Sequence, residues 1–431
     1  PRPSPLKARE PAEMHFDVEV EVLTNTFETL LTTDREGNLV PQLCEEWSMA
    51  EDGRTLHMTL REGVRFHDGT VLDAPAVKRS LEHCARRASH RIPAALGAID
   101  GMDAVCRGEA DTAPGLVATS ERELEIRLRE TLPIFPALLT DVNVAIARAS
   151  DGRAVGTGPF AVAAHEDGRV VLERNDGYWK GSTATLDAIE FHPSRGGADI
   201  AAGLEEGRFN LRRGRHPDLH PVTLQLLLKE PRFRCSVVDV PQRSTCFFLF
   251  NVVSGPAARD PAVRRALAGV VRTADLVWKT LGRLAHPAVA LIPPGIPGHD
   301  AGRRRANVRL EEAKEAVAAA GAPLRLRASV HPPLLDRCRA MVDALFALWG
   351  ELGVEVTVGT TDMASWTRTW EDNEGFDLLL ARYSADYNDP DNFTHRLFHP
   401  RRDIARKGYG TPATARHVHD ARAHATARTR L

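Results

Sequence analysis

The 431 residues carry 43% apolar and 26% charged side chains, which is enough apolar material for two or three domains of about 100–200 residues each. The 56 Lys+Arg and 58 Asp+Glu leave a net charge of −2, so no overall field favours nucleic acid or a membrane surface. No apolar run reaches the ~18 residues of a transmembrane helix. The six cysteines, Cys44, Cys84, Cys106, Cys235, Cys246 and Cys338, contain no C-x-x-C pair, which argues against a zinc site or a thioredoxin-like motif, and their spacing assigns no disulfide. The chain starts at Pro1 and reads as a processed or partial product, with any export signal or upstream domain outside it.

Residues 1–15 are rich in proline and charge and are expected to be disordered. Val18, Val22, Leu23, Phe27, Leu30 and Leu31 then form an apolar stripe at helical spacing, and residues 34–41 read as a turn. Leu56, Met58 and Leu60 alternate with His57, Thr59 and Arg61, the period of a half-buried strand. Asp52-Gly53 is a hairpin signal that makes residues 45–49 the partner strand. Glu62-Gly63 and Asp68-Gly69 punctuate a loop holding Val64 and Phe66. Asp73 reads as an N-cap before Pro75, with Val77, Leu81 and Cys84 on one helix face.

Residues 121–128 read as a strand. Gly156-Thr157-Gly158-Pro159-Phe160 is a close turn between strands. It is not a phosphate loop, because no lysine-serine pair follows and no helix opens. Further strands are expected at 188–191 and 235–240, with a helix at 198–206 between them. Arg212-Arg213-Gly214-Arg215-His216 is a basic cluster that reads as a solvated loop. Residues 245–251 read as a buried strand, 260–267 and 310–320 as helices, and 324–330 and 354–358 as strands. A helix over 334–352 between those strands, with Met341, Leu345, Leu348 and Leu352 inside, argues a parallel sheet. Residues 376–393 begin as a buried strand and end in the polar turn Asn388-Asp389-Pro390. Ligands of open α/β sheets bind outside the carboxyl ends of strands, which places Asp386 as a buried carboxylate at a candidate site. Arg382 and Asp386, four apart on the expected strand, would share a face and could pair in the empty protein.

Arg61-Glu62-Gly63-Val64-Arg65-Phe66-His67-Asp68-Gly69-Thr70, with Ala74, Val77 and Ser80 after it, resembles a segment shared by the large solute-binding proteins of ABC transporters that import oligopeptides, dipeptides and nickel. Ala76 stands where aspartate is usual. The resemblance continues at Glu28-Thr29-Leu30-Leu31, at Gly156–Phe160, and at Arg174-Asn175 with Tyr178-Trp179. It continues again at Asp260 with Val263-Arg264 and Ala266-Leu267, at Pro293-Pro294-Gly295, and at Asp386 with Asp389-Pro390. It implies an α/β, two-lobed periplasmic-binding-protein-like fold. The family's first strand is not evident, and its C-terminal return segment is not matched after Pro400. Lobe one is expected over 1–246, lobe two over 247–400, and a disordered basic tail over 401–431.

The function implied is capture of a peptide or other small polar ligand between the lobes, by hinge closure, for delivery to ABC permease subunits. The implied location is periplasmic or extracellular, with peripheral membrane association through the permease or an unseen lipid anchor. In peptide-binding relatives the aspartate matching Asp386 receives the peptide's α-ammonium. Tyr383, Arg382 and Asn388 are the neighbouring candidate ligand contacts, with Arg382 where glycine and Tyr383 where tryptophan are usual. No cofactor, metal or nucleic acid is expected, and the absence of G-x-S-x-G and H-E-x-x-H argues against an enzyme. The alternative is a ligand-sensing domain of a transcriptional or signalling regulator on the same fold.

Overall fold

The structure, a computed structural model, describes residues 8–14, 17–88, 92–150, 152–166, 169–181, 184–192, 197–211, 228–231, 238, 240, 242–253, 255, 258–321, 323–359, 362–372, 374–398 and 411–422. These divide into two compact units, one running to residue 192 and including Arg422, the other running from 197 to 421.

In the first unit, α1 (Asp17–Thr26) leads into β1 (Leu31–Thr33), which pairs antiparallel with β2 (Leu39–Pro41) across the stretch expected to be only a turn. The expected hairpin is β3 (Cys44–Met49) and β4 (Thr55–Leu60), with Trp47 opposite Met58. Leu56, Met58 and Leu60 are buried, as their period requires. Asp52 Oδ1 accepts from the amides of Arg54 and Thr55 at the turn, and Gly53 takes φ 63°, open to glycine at little cost.

The loop that follows holds Val64 and Phe66 buried, with the Phe66 amide donating to the Thr70 carbonyl at 2.8 Å. Asp73 caps α2 (Ala74–Arg87) by accepting from the Ala76 amide at 2.6 Å. β5 (Leu116–Ala118) and β6 (Glu123–Arg127) complete a four-stranded antiparallel sheet in the order β3-β4-β6-β5. β7 (Arg148–Ser150) pairs with β8 (Arg153–Val155). β9 (Phe160–Glu166), β10 (Arg169–Arg174) and β11 (Ala188–Phe191) form an antiparallel three-stranded sheet.

The expected disorder of residues 1–15 does not extend to the described residues 8–14. Ala8 is buried and its amide donates to Glu19 Oε1 at 2.8 Å. Glu10 meets both His83 and Arg87 of α2, at 2.9 and 3.0 Å. Charge that reads as solvated in one dimension is here paired across sequence separations of more than seventy residues.

The described strands of the second unit form one sheet. β12 (Ser244–Phe250) is followed by α3 (Pro261–Gly269), α4 (Leu310–Ala319) and β13 (Leu324–Val330). Next come α5 (Pro332–Arg337), α6 (Arg339–Gly350), β14 (Val354–Val358), α7 (Met363–Asp372) and β15 (Leu378–Ser384). The order is β12-β15-β13-β14, with β13 parallel to both β14 and β15 and β12 antiparallel to β15. The lobe boundary expected at 246/247 falls inside β12. Among the described residues that strand lies at the sheet edge; it is only partly buried and Cys246 is exposed.

The single helix expected over 334–352 is two. At Cys338 the backbone leaves the helical region, φ −116° and ψ 25°, so α5 ends and α6 restarts. The restart puts Val342, Leu345 and Trp349 against the core, while Met341 and Leu348 are half-buried. Trp349 stacks on Phe346, meets Phe248 edge-on and Phe250 at a tilt, and donates its indole N–H to the Leu267 carbonyl at 2.9 Å.

Of the basic tail, residues 412–422 form α8 (Pro412–Arg422), in contrast to the expected disorder. Its remainder, the basic cluster at 212–216, residues 1–7 and most of the strand expected at 235–240 lie outside the described residues.

Candidate functional site

A parallel strand leaves the carbonyl ends of its ladder where the chain must turn to begin a crossover. In the second unit the chain passes from β13 to β14 on one side, then back over to β15 on the other side of β13. The two crossovers lie on opposite faces of the sheet. α6 packs against Leu326, Ala328, Val330, Leu378 and Leu380, whereas Trp366 of α7 packs against Phe376, Leu379 and Ala381. Their divergence makes the carboxyl ends of β13 and β15 a topological switch point, the position at which open α/β sheets bind ligands.

His331 stands at the end of β13. Its amide donates to the Leu380 carbonyl at 2.9 Å and its ring meets Trp366 edge-on at 4.6 Å. Neither residue was singled out from the sequence. The signal available was the position of His331 one residue past an apolar strand.

At the end of β15, Tyr383 donates its hydroxyl to Asn392 Oδ1 at 2.7 Å and meets Phe393 edge-on at 5.5 Å. Tyr387, buried at 5% exposure, donates to Asp391 Oδ2 at 2.7 Å. The Asn392 side-chain amide donates to the Tyr387 carbonyl at 3.2 Å, and Asp389 Oδ1 accepts from the Asp391 amide at 2.9 Å. The Asn388-Asp389-Pro390 turn is therefore a hydrogen-bonded knot beneath the site, and Asn388 is half-buried in it.

Two expectations about Asp386 are corrected. β15 ends at Ser384, so strand alternation does not put Asp386 on the face of Arg382. The side chain is also exposed rather than buried. Arg382 remains in the strand, directly opposite Cys246. The structure thus brings Tyr383, Asp386 and Asn388 to one strand end, with Arg382 two residues before the last strand residue, Ser384.

The motif residues of the first unit meet elsewhere, around Glu28. Its carboxylate is 2% exposed. It accepts from Thr157 Oγ1, Tyr178 Oη and Trp179 Nε1, each at 2.8 Å, and from Gln42 Nε2 at 3.1 Å. The Lys180 ammonium is 3.9 Å away, and Lys180 and Arg61 both lie over the Trp179 ring. Burial and the Glu28 charge push the Tyr178 phenol well above its ordinary range. His67 Nε2–H donates to the Gly158 carbonyl at 3.0 Å, and the His67 amide donates to the Gly156 carbonyl at 2.9 Å. A Cβ on Gly156 would fall 2.1 Å from the Thr26 carbonyl oxygen, so backbone approach dictates glycine there. This hub is fully hydrogen-bonded and fastens α1 and the loops around it. Its chemistry is that of a clasp.

Among the described residues no group of three or more His, Cys, Asp or Glu side chains is arranged to hold a metal ion, and no helix is long and apolar enough to cross a membrane.

Residues 38–404 match the family model described as bacterial extracellular solute-binding proteins, family 5. The periplasmic murein peptide-binding protein MppA of Escherichia coli is 24% identical over 403 residues, covering 87% of this chain and 72% of that protein. The dipeptide-binding protein of the same organism is 24% identical over 387 residues, covering 84% and 70%. Among solved structures, unliganded MppA superposes with a TM-score of 0.77 at 23% identity, covering 100% of this chain and 86% of that one. NikA from Brucella suis superposes with a TM-score of 0.81 at 19% identity, covering 99% and 87%. These likenesses establish the two-lobed periplasmic-binding-protein fold.

Proposed function

The chain belongs to the bacterial extracellular solute-binding proteins, family 5, and on that premise we propose that it captures a peptide or other small polar ligand for the permease of an ABC importer. The location that goes with this reading is periplasmic or extracellular, with the membrane reached through the permease. The observation that carries it is the carboxylate of Asp386, presented at the end of β15 beside the switch point and underpinned by the Tyr387–Asp391 knot. An exposed carboxylate at that position suits a ligand's ammonium group. Arg382 supplies a cation at the same strand end for a ligand's carboxylate, and a peptide carries both charges. The Tyr383 hydroxyl is committed to Asn392, so this residue offers its ring as a wall rather than its hydroxyl as a donor.

MppA and the dipeptide-binding protein are binding proteins by name, and no observation favours the regulatory alternative. The test is native mass spectrometry of the purified protein for retained ligand, followed by calorimetry with a dipeptide and its N-acetylated form. Binding of the free peptide and loss on acetylation is the expected result. Equal affinity for both forms removes the ammonium reading.

A further inference from the structure

In the second unit, α6 crosses back from β13 to β14 and so runs against β13 and in the same direction as β12. Trp349 near the end of α6 meets Phe248 and Phe250 near the end of β12, at 5.4 and 6.4 Å between ring centroids. Counting back from that contact, the eleven residues from Trp349 to Cys338 span about 16 Å of helix. Phe248 and Phe250 lie two and four residues beyond Cys246, about 7 and 13 Å along the strand. Both cysteines therefore sit at the same end of one helix-on-strand packing.

They also share a face. Cys246 has the strand parity of Phe248 and Phe250, and Cys338 packs against the core cluster that contains Phe250. Each thiol lies within electrostatic reach of the other or of Arg382, which stands opposite Cys246 in the ladder. Cys246 is exposed and Cys338 half-buried, whereas Cys44 and Cys84 are buried.

We propose that Cys246 and Cys338 are a redox pair that closes into a disulfide, stapling the edge strand β12 to the α5–α6 junction. Thiol–disulfide exchange balances the step. The Cys246 thiolate attacks a small disulfide, forms a mixed disulfide and expels one thiolate. Cys338, deprotonated, then attacks the Cys246 sulfur and expels the second. Two protein thiols are oxidised, one external disulfide is reduced to two thiols, and two protons pass to those leaving groups. Burial pushes both thiols up, Cys246 to about 11, so the exchange runs faster as pH rises, while Arg382 beside both and Arg337 beside Cys338 favour the thiolates. The same two cations argue against a metal cation between the sulfurs. The junction itself is suited to a crosslink, because Cys338 already stands outside helical geometry. The proposal is independent of which ligand the protein carries.

The test treats the full chain with oxidised glutathione, alkylates the remaining thiols and maps peptides by mass spectrometry. The expected result is a Cys246–Cys338 crosslinked peptide in most molecules, a fall of two in alkylatable thiols, and its reversal by dithiothreitol. C338S is expected to hold glutathione on Cys246 as a stable mixed disulfide, which the wild type releases. A wild-type protein that keeps the mixed disulfide at Cys246, leaves both thiols alkylatable, or links either to another cysteine, Cys235 included, overturns the proposal.

Discussion

Glu28 gathers four neutral donors about a carboxylate at 2% exposure, so its removal is more costly than the removal of any one partner. An unmade buried hydrogen bond costs about 1–3 kcal/mol for the group left behind. Trp179→Phe strands one carboxylate lone pair, and about 1–2 kcal/mol is expected. Glu28→Ala strands several donors at once, and more than about 3 kcal/mol is expected. Urea midpoints of the two variants measure this, and equal midpoints would contradict a shared hub.

His67 is held below the ordinary 6.5 of histidine chiefly by burial, which disfavours the imidazolium, while the bond to the Gly158 carbonyl and the charges of Glu28 and Asp68 pull the other way. The unfolded chain therefore binds this proton more readily than the folded one. The contribution to stability is complete above about pH 6.5 and is lost as pH falls through the window between that value and the lower folded one. His67→Gln is expected to flatten the loss of stability between about pH 7 and 5 relative to wild type. Parallel curves would remove His67 as its source.

Asp386 carries a prediction whose size decides its environment. If ligand seals the carboxylate from water, Asp386→Asn weakens an amine-bearing ligand by about 2–5 kcal/mol. An ion pair that stays exposed is worth less than about 1 kcal/mol. Calorimetry separates these, and unchanged affinity would assign Asp386 to the turn alone.

Elements in this chain are set by short-range signals wherever a backbone need coincides with a residue type. Gly53 is one case. Its φ of 63° is costly for a residue with a side chain, and an added Cβ would fall 2.8 Å from Thr131 Cγ2. Gly53→Ala is expected to cost more than about 1 kcal/mol, whereas Gly63→Ala, equally left-handed but with nothing within 4 Å, is expected to cost about 1 kcal/mol from φ alone. Asp73 is another case. Its carboxylate satisfies an N-terminal amide of α2, so Asp73→Ala is expected to cost about 1 kcal/mol and Asp73→Ser much less. Thermal melts of these four variants rank the effects, and a destabilised Asp73→Ser would show that charge rather than capping matters.

At the scale of the molecule, the two units have separate cores. The cluster around Trp349 draws only on the second unit, while Phe160, Val170 and Leu172 close a cluster with Val22 in the first. Trp349→Ala removes an indole at 0% exposure, and a cost of about 3–5 kcal/mol is expected. Hydrogen exchange is expected to rise over β12–β15 and α6 while β3, β4 and β6 keep their protection. Equal loss in both units would show one cooperative structure.

What the sequence by itself determined was local. The β3–β4 hairpin, the loop holding Val64 and Phe66, the Asp73 cap and the strands β13, β14 and β15 follow from period, turn residues and caps within a dozen positions. The family was legible for the same reason, since its motifs are runs of adjacent residues with fixed backbone duties. Tertiary structure alone decided the rest. That Glu28 collects Gln42, Thr157, Tyr178 and Trp179 depends on contacts spanning up to 151 residues, which no periodicity encodes. That α6 buries Val342 and Trp349 more deeply than Met341 and Leu348, beside the expected Leu345 and Leu352, depends on how the helix sits on the sheet. That β12 pairs with β15 alone among the described strands depends on the order of the sheet, which no strand's own sequence carries. And the direction of Asp386 was undetermined until β15 was seen to end at Ser384, because a strand's alternation informs a side chain only while the ladder lasts.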